Sequence, residues 1–86
     1  MPDKAAIIVE DAPNWARQHE LKLAGYGFAT STAKSYADAV TLLRQRRFDL
    51  AVVDLSLGFQ DEFQNLNGIF LLEYLTAKNT PVIIVT

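Results

Sequence analysis

The chain has 86 residues, of which 50% are apolar and 21% are charged, and its formal net charge is −2. This length allows one small domain, and the scattered, mildly acidic charge argues against a nucleic-acid-binding face. The lack of cysteine excludes disulfides and thiolate metal sites, and no apolar run suits a signal peptide or a membrane span, so we predict a soluble, cytoplasmic protein.

The first predicted strand covers residues 5–9, an apolar run that leads directly into Glu10 and Asp11. A helix is predicted to follow, with Asp11 as its N-cap and Pro13 in its first turn. The spacing of Trp15, His19 and Leu23 puts them on one helical face. We expect His19 to be a helix-packing residue and not a catalytic base, and Trp15 to lie in the core or at the edge of a cleft.

Glycines at positions 25 and 27 end that helix. A weak second strand is predicted over residues 28–32, a second helix over residues 35–46 and a third strand over residues 49–54. Arg44, Arg46 and Arg47 suit the negative end of the second helix dipole, where we expect them to be solvated.

A long loop over residues 55–67, a third helix over residues 68–77 and a fourth strand over residues 82–85 complete the predicted elements. Strands alternating with helices are typical of a doubly wound, parallel α/β sheet with helices on both faces. The fourth strand is nearly all apolar, which is typical of a strand covered on both faces, yet no element of this sequence follows to cover it.

Acidic residues follow two of the apolar strands. Glu10 and Asp11 come after the first strand, and Asp54 ends the third. The carboxyl ends of neighbouring parallel strands meet at one edge of the sheet, where ligands bind. Three carboxylates there repel one another unless a cation lies between them, which predicts a divalent metal site.

A series of short motifs extends over nearly the whole chain: Ile8-Val9-Glu10-Asp11, Gly27-Phe28, Ala33, Tyr36, Ala39-Val40, Phe48-Asp49-Leu50, Val53-Asp54-Leu55, Asn67-Gly68 and Pro81-Val82-Ile83-Ile84-Val85-Thr86. In their order and spacing, these motifs resemble the receiver domain of two-component response regulators, which has a flavodoxin-like fold.

The resemblance implies a role for each residue of the site. Asp54 matches the aspartate that accepts a phosphoryl group from a histidine kinase or phosphotransfer protein. Glu10 and Asp11 match the acidic pair that binds Mg²⁺ together with Asp54 and the backbone carbonyl of Ser56. Thr86 matches the hydroxyl that turns toward the phosphoryl group. The implied protein is a signalling switch that assists its own phosphorylation and dephosphorylation, not an enzyme in the usual sense.

Two departures from the family accompany these matches. The loop over residues 58–67 is longer than in most of the family. Three interpretations are open: the loop shields the phosphoryl group from water, it is recognised by a partner kinase, or it is a surface loop without a specific role. The family fold continues to a fifth strand, with order 2-1-3-4-5, and its conserved Lys after that strand has no counterpart here. We therefore expect residues 1–86 to form the first-to-fourth-strand portion of a receiver, with any output domain outside it.

Two further interpretations remain beside the phosphorylated switch. The chain is alternatively an interaction module that is not phosphorylated and that pairs with a second copy through the exposed edge of its fourth strand. A Mg²⁺-dependent phosphatase fits less well, because such enzymes usually carry a second carboxylate at the position that Ser56 occupies.

Overall fold

Four parallel strands form one sheet in the computed structural model, which describes residues 4–54, 71 and 73–85, with the backbone alone for residues 54, 84 and 85. The strands are β1 (Lys4–Val9), β2 (Phe28–Ala33), β3 (Leu50–Asp54) and β4 (Val82–Val85). They lie in the order β2-β1-β3-β4, and each neighbouring pair is parallel. The predicted parallel α/β sheet with the flavodoxin-like strand order is confirmed.

Helices cover both faces of this sheet. The first two are α1 (Pro13–Gly25) and α2 (Tyr36–Gln45), and residues 71 and 73–77 are helical and are called α3 here. Leu23 of α1 packs with Ala6, Ile8 and Val52 on one face. The other face buries side chains of α2 and α3 against the alternate strand residues, namely Tyr36, Ala39, Leu43, Leu71 and Leu75 against Ile7, Val9, Ala51 and Val53. Because successive strand residues point to opposite faces, central strands covered on both sides must be apolar throughout.

The start of α1 differs from the prediction. Ala12, not Asp11, is the N-cap, and no side chain caps this end of the helix. Pro13 is the first helical residue, and a proline forces the residue before it into extended backbone, as the φ of −85° and ψ of 116° at Ala12 show. The cap therefore falls immediately before the proline, and Asp11 lies one residue outside the helix.

The buried face of α1 also differs from the prediction. Ala16 and Leu23 are buried and His19 is half-buried, whereas Trp15 is 58% exposed. Successive helical residues are rotated by about 100°, so Trp15 points well away from the direction of Ala16. A core position for Trp15 is wrong, and the half-buried His19 agrees with the expected packing role.

Other predicted bounds agree with the structure to within one residue, including those of β4. The predicted loop 55–67 and the first residues of the predicted third helix lie outside the described residues. Within the part that the structure describes, no helix is both long and apolar enough to cross a membrane.

The N-terminus of α2 offers a stability test. The Asp38 backbone N–H donates to Ser35 Oγ at 3.1 Å, so Ser35 is the N-cap. We expect Ser35→Ala to lower the free energy of unfolding by about 1 kcal/mol, which lowers Tm by about 4–8 °C in a domain of this size. Thermal melts followed by circular dichroism measure this loss. Ser35→Asp keeps an acceptor oxygen and is expected to melt within about 2 °C of wild type; an equal loss in both variants contradicts the cap.

Candidate functional site

The carboxyl edge of the sheet brings three strand ends together. Val9 of β1 is aligned with Val53 of β3, so Glu10 and Asp54 occupy the next positions on adjacent strands. The backbone of Asp54 is aligned with Val85 at the end of β4. Parallel strands that end in register form the ligand-binding edge of an open α/β sheet.

Glu10 is the one buried residue of charged type among the side chains that the structure describes, with 3% of its surface exposed. Its backbone N–H donates to the carbonyl of Ala33 on β2 at 3.0 Å, and its Oε1 accepts from the backbone N–H of Ala12 at 3.1 Å. A buried carboxylate costs free energy that hydrogen bonds or a cation must offset. These two bonds fix Glu10 between the end of β1 and the start of α1.

Asp11 is exposed beside Glu10, and both residues line a cleft of about 280 Å³. The rest of its wall comes from α1 and from β2 and the residue after it: Pro13, Ala16, Arg17, Glu20, Thr32 and Lys34. Asp11 is therefore open to solvent on the side of the sheet that α1 covers, whereas Glu10 is a buried part of the cleft wall.

Glu20 is engaged within this cleft. Thr32 Oγ1 donates to Glu20 Oε1 at 2.8 Å, and Arg17 Nη1 lies 3.9 Å from Glu20 Oε2. Sequence reasoning assigned no role in the site to Glu20, Thr32 or Lys34. The strand order would have indicated Lys34, because it follows directly on the strand beside β1.

The residues of the predicted site, four metal ligands and the switch hydroxyl of Thr86, are described to different extents. Side chains are described for Glu10 and Asp11, the backbone alone for Asp54, and Ser56 and Thr86 lie outside the described residues. Where side chains are described, no three His, Cys, Asp or Glu residues gather into a metal-binding group. Carboxylate oxygens at a solvent-open cleft are nevertheless the donors that Mg²⁺ prefers, so Glu10 and Asp11 fit that ion in chemical kind.

Comparisons with known proteins agree with this architecture. A family model described as the response regulator receiver domain matches residues 6–86. The DNA-binding response regulator MtrA of Mycolicibacterium smegmatis is 31% identical over 81 residues, which are 93% of this chain and 33% of that protein. The chain thus spans about a third of that relative's length.

Solved structures show the same likeness. The receiver domain of the Francisella response regulator 1452 has a TM-score of 0.74 and 27% identity over 95% of this chain and 64% of that one. The MaeR response regulator bound to beryllium trifluoride has a TM-score of 0.75 and 31% identity over 96% of this chain and 66% of that one. The similarity therefore concerns one part of each of these proteins.

Proposed function

The chain belongs to the response regulator receiver domain family, and from this premise we propose that it accepts a phosphoryl group on Asp54 from a histidine kinase or phosphotransfer protein. The observation that supports the proposal most is the strand alignment, which brings the end of β1 at Glu10 and the end of β3 at Asp54 to one edge. In this proposal residues 1–86 form the β1-to-β4 portion of one receiver domain.

Mg²⁺ belongs to the same proposal, held by Glu10, Asp11, the Asp54 carboxylate and the Ser56 carbonyl. When bound, the ion supplies neutralisation of the negative charge on the phosphoryl oxygens. Two contacts support the inclusion of Glu10: the backbone N–H of Ala12 donates to its Oε1, and its own backbone N–H donates to the Ala33 carbonyl on β2.

In this proposal Asp54 and Thr86 take part directly in the phosphoryl transfer. An Asp54 carboxylate oxygen forms a bond to phosphorus while the bond from phosphorus to the donor atom breaks, and the donor leaves with that electron pair. The Thr86 hydroxyl donates a hydrogen bond to the new phosphoryl oxygens. The added charge and acceptor oxygens bias a two-state element that an output domain or partner senses.

The proposed role is that of a switch and not of a metabolic enzyme, and no output activity is assigned to residues 1–86. A cytoplasmic location is part of the proposal and rests on the family. No nucleic-acid contact is assigned to residues 1–86, because their formal net charge is −2.

The test is the intact mass of the folded chain after incubation with acetyl phosphate and Mg²⁺. The proposal is supported if the chain gains the mass of one phosphoryl group with Mg²⁺ present and gains none in a parallel incubation in which Mg²⁺ is chelated. No gain from a protein that circular dichroism shows to be folded contradicts it. Beryllium trifluoride, bound in the MaeR structure, is a second probe, since a phosphoryl-accepting site is expected to bind it.

A second candidate function is an unphosphorylated interaction module that pairs with a second copy through β4. β4 is the last strand in the order of the described sheet, and Ile83 on it is 50% exposed. The backbone groups of an edge strand form a ready template for pairing, particularly where its side chains are apolar. The expected coverage of the fourth strand on both faces is thus incomplete at Ile83 among the described residues.

Edge pairing makes the elution volume depend on concentration. We expect size exclusion with light scattering to show dimer growing with protein concentration in wild type, and monomer throughout in Ile83→Lys, whose charge opposes apolar contact at the edge. The matched control is Leu21→Lys, because Leu21 is an exposed leucine on α1, 60% exposed, away from β4. A wild-type chain that stays monomeric at every concentration contradicts edge pairing, and equal dissociation in the control shows nonspecific association.

A further inference from the structure

A second cleft lies at the opposite edge of the sheet, where β3 and β4 begin. It is lined by residues 43, 46–49 and 78–80 and has a volume of about 410 Å³; we call it the basal pocket. The end of α2 supplies one wall, and the turn after α3 supplies the other. Its volume falls within the range of small-molecule sites, about 300–1,000 Å³.

The charge of the basal pocket is opposite to that of the chain. Three cationic side chains, Arg46, Arg47 and Lys78, line it against one carboxylate, Asp49, although the whole chain has a net charge of −2. Asp49 is already engaged, because its Oδ2 accepts from the backbone N–H of Ala5 at 2.8 Å. The lining therefore presents an excess of positive charge.

Two of the cations are held in place by contacts with the fold. The Arg46 guanidinium carbon lies 5.1 Å from the centroid of the Phe48 ring, and Phe48 is buried. Lys78 Nζ lies 5.0 Å from the centroid of the Tyr74 ring and donates to the carbonyl of Leu43 at 3.4 Å. Such contacts limit the freedom of long side chains, so less entropy is lost when they bind an anion.

The third cation, Arg47, is not explained by a contact of this kind or by the dipole of α2. Cations at a helix C-terminus offset its dipole, and Arg46 and Lys78 serve the end of α2 in this way. Arg47 lies beyond the C-cap of α2 and makes no hydrogen bond, ion pair or ring contact with the described residues. Its guanidinium leaves a two-pronged donor available at the pocket, the geometry that matches phosphate oxygens.

The opposite wall adds neutral polar groups. Asn79 has a φ of +58°, which closes the turn after α3, and the backbone N–H groups of Asn79 and Thr80 bond to the carbonyls of Thr76 and Leu75. These bonds fix the turn, and both residues line the pocket. Together with the cations, they suit a ligand with several oxygen atoms.

We propose that the basal pocket binds a diphosphate group, free or as part of a nucleoside diphosphate, with Arg47 as its principal cation and Arg46 and Lys78 beside it. This site is separate from the carboxyl edge and does not depend on phosphorylation of Asp54. A multivalent oxyanion is favoured over a monovalent one because three cationic residues line one pocket.

The test is a titration of the ¹⁵N-labelled chain with sodium pyrophosphate in Mg²⁺-free buffer, with ionic strength held constant by KCl. We expect saturable amide shifts confined to residues 46–49 and 78–80. Arg47→Gln is expected to weaken binding roughly three- to fivefold, the scale of one exposed charge pair. A parallel titration with ADP distinguishes free diphosphate from a nucleoside diphosphate as the ligand. Binding of ADP that equals or exceeds that of pyrophosphate indicates a nucleoside diphosphate, and weaker binding of ADP indicates free diphosphate.

The matched control is Arg44→Gln, which removes the same charge from an exposed position of α2 that does not line the pocket. It is expected to bind pyrophosphate as wild type does. Lys78→Gln provides a second loss variant on the other wall. Shifts that do not saturate, or an equal loss in Arg44→Gln and Arg47→Gln, overturn the proposal in favour of general charge attraction.

Discussion

Asp54→Asn is expected to take up no phosphoryl group from acetyl phosphate, whereas the wild-type chain gains one. An amide has no anionic oxygen to attack phosphorus, so the expected loss is complete and not graded. Asparagine has nearly the shape of aspartate, and the backbone of Asp54 pairs with β4 whatever its side chain is. Intact mass spectrometry after incubation with acetyl phosphate and Mg²⁺ measures the difference directly.

Asp49→Asn is the matched control for this prediction. It makes the same chemical change immediately before the same strand, but at the opposite edge of the sheet. Its side-chain oxygen still accepts from the Ala5 N–H after the change, so the contact at 2.8 Å is retained. The control is expected to be labelled as wild type is. Undiminished labelling of Asp54→Asn removes that residue as the acceptor, and equal loss in both variants points to misfolding.

The second large effect is expected from neutralising the acidic pair. The double variant Glu10→Gln and Asp11→Asn is expected to bind Mg²⁺ at least about tenfold more weakly, since the loss of even supporting residues around a metal reduces affinity by about that factor. Glutamine keeps an oxygen to accept from Ala12, so the bond at 3.1 Å and the entry to α1 are preserved. Isothermal titration of the unphosphorylated protein with MgCl₂ measures affinity without any transfer reaction.

The same variant is expected to melt at a higher temperature than wild type when Mg²⁺ is absent. Glu10 is 3% exposed and lies next to a second carboxylate, and neutralisation removes both a desolvation cost and a like-charge repulsion. Glu73→Gln removes one exposed carboxylate from α3 and serves as control, with Mg²⁺ affinity and Tm unchanged. Wild-type Mg²⁺ affinity in the double variant excludes the pair as ligands, and an unchanged Tm shows that the repulsion is small.

Local patterns in the sequence were sufficient for most of the elements. Apolar runs predicted β1 and β3 because a central parallel strand that is covered on both faces rarely tolerates a polar side chain. β4 was predicted with the bounds that the structure has, Val82–Val85. The predicted second helix began at Ser35, which the structure shows to be the N-cap, one residue before α2. Asp11 failed as a cap because Pro13 set the helix start one residue later.

The candidate site was predicted as a set of strand-end residues, and the aligned ends of β1 and β3 are where that prediction expected them. The roles of Asp54, Ser56 and Thr86 stay predictions, because none of their side chains is described. Burial of Glu10 and the Thr32–Glu20 bond within its cleft were not predictable. Both depend on which strand lies beside β1 and on the rotation of α1 about its axis.

The sequence by itself determined the elements, their order and the residue types at the strand ends, because these follow from interactions within a few residues. Only the tertiary structure decided which distant residues meet. Trp15 is exposed because packing selected the face of Ala16 and Leu23. Arg46 and Arg47 are exposed, as predicted for a solvated helix end. Only the fold shows that they line one pocket together with Lys78. Residues so far apart in the chain become neighbours through sheet order and strand alignment, which no local pattern contains.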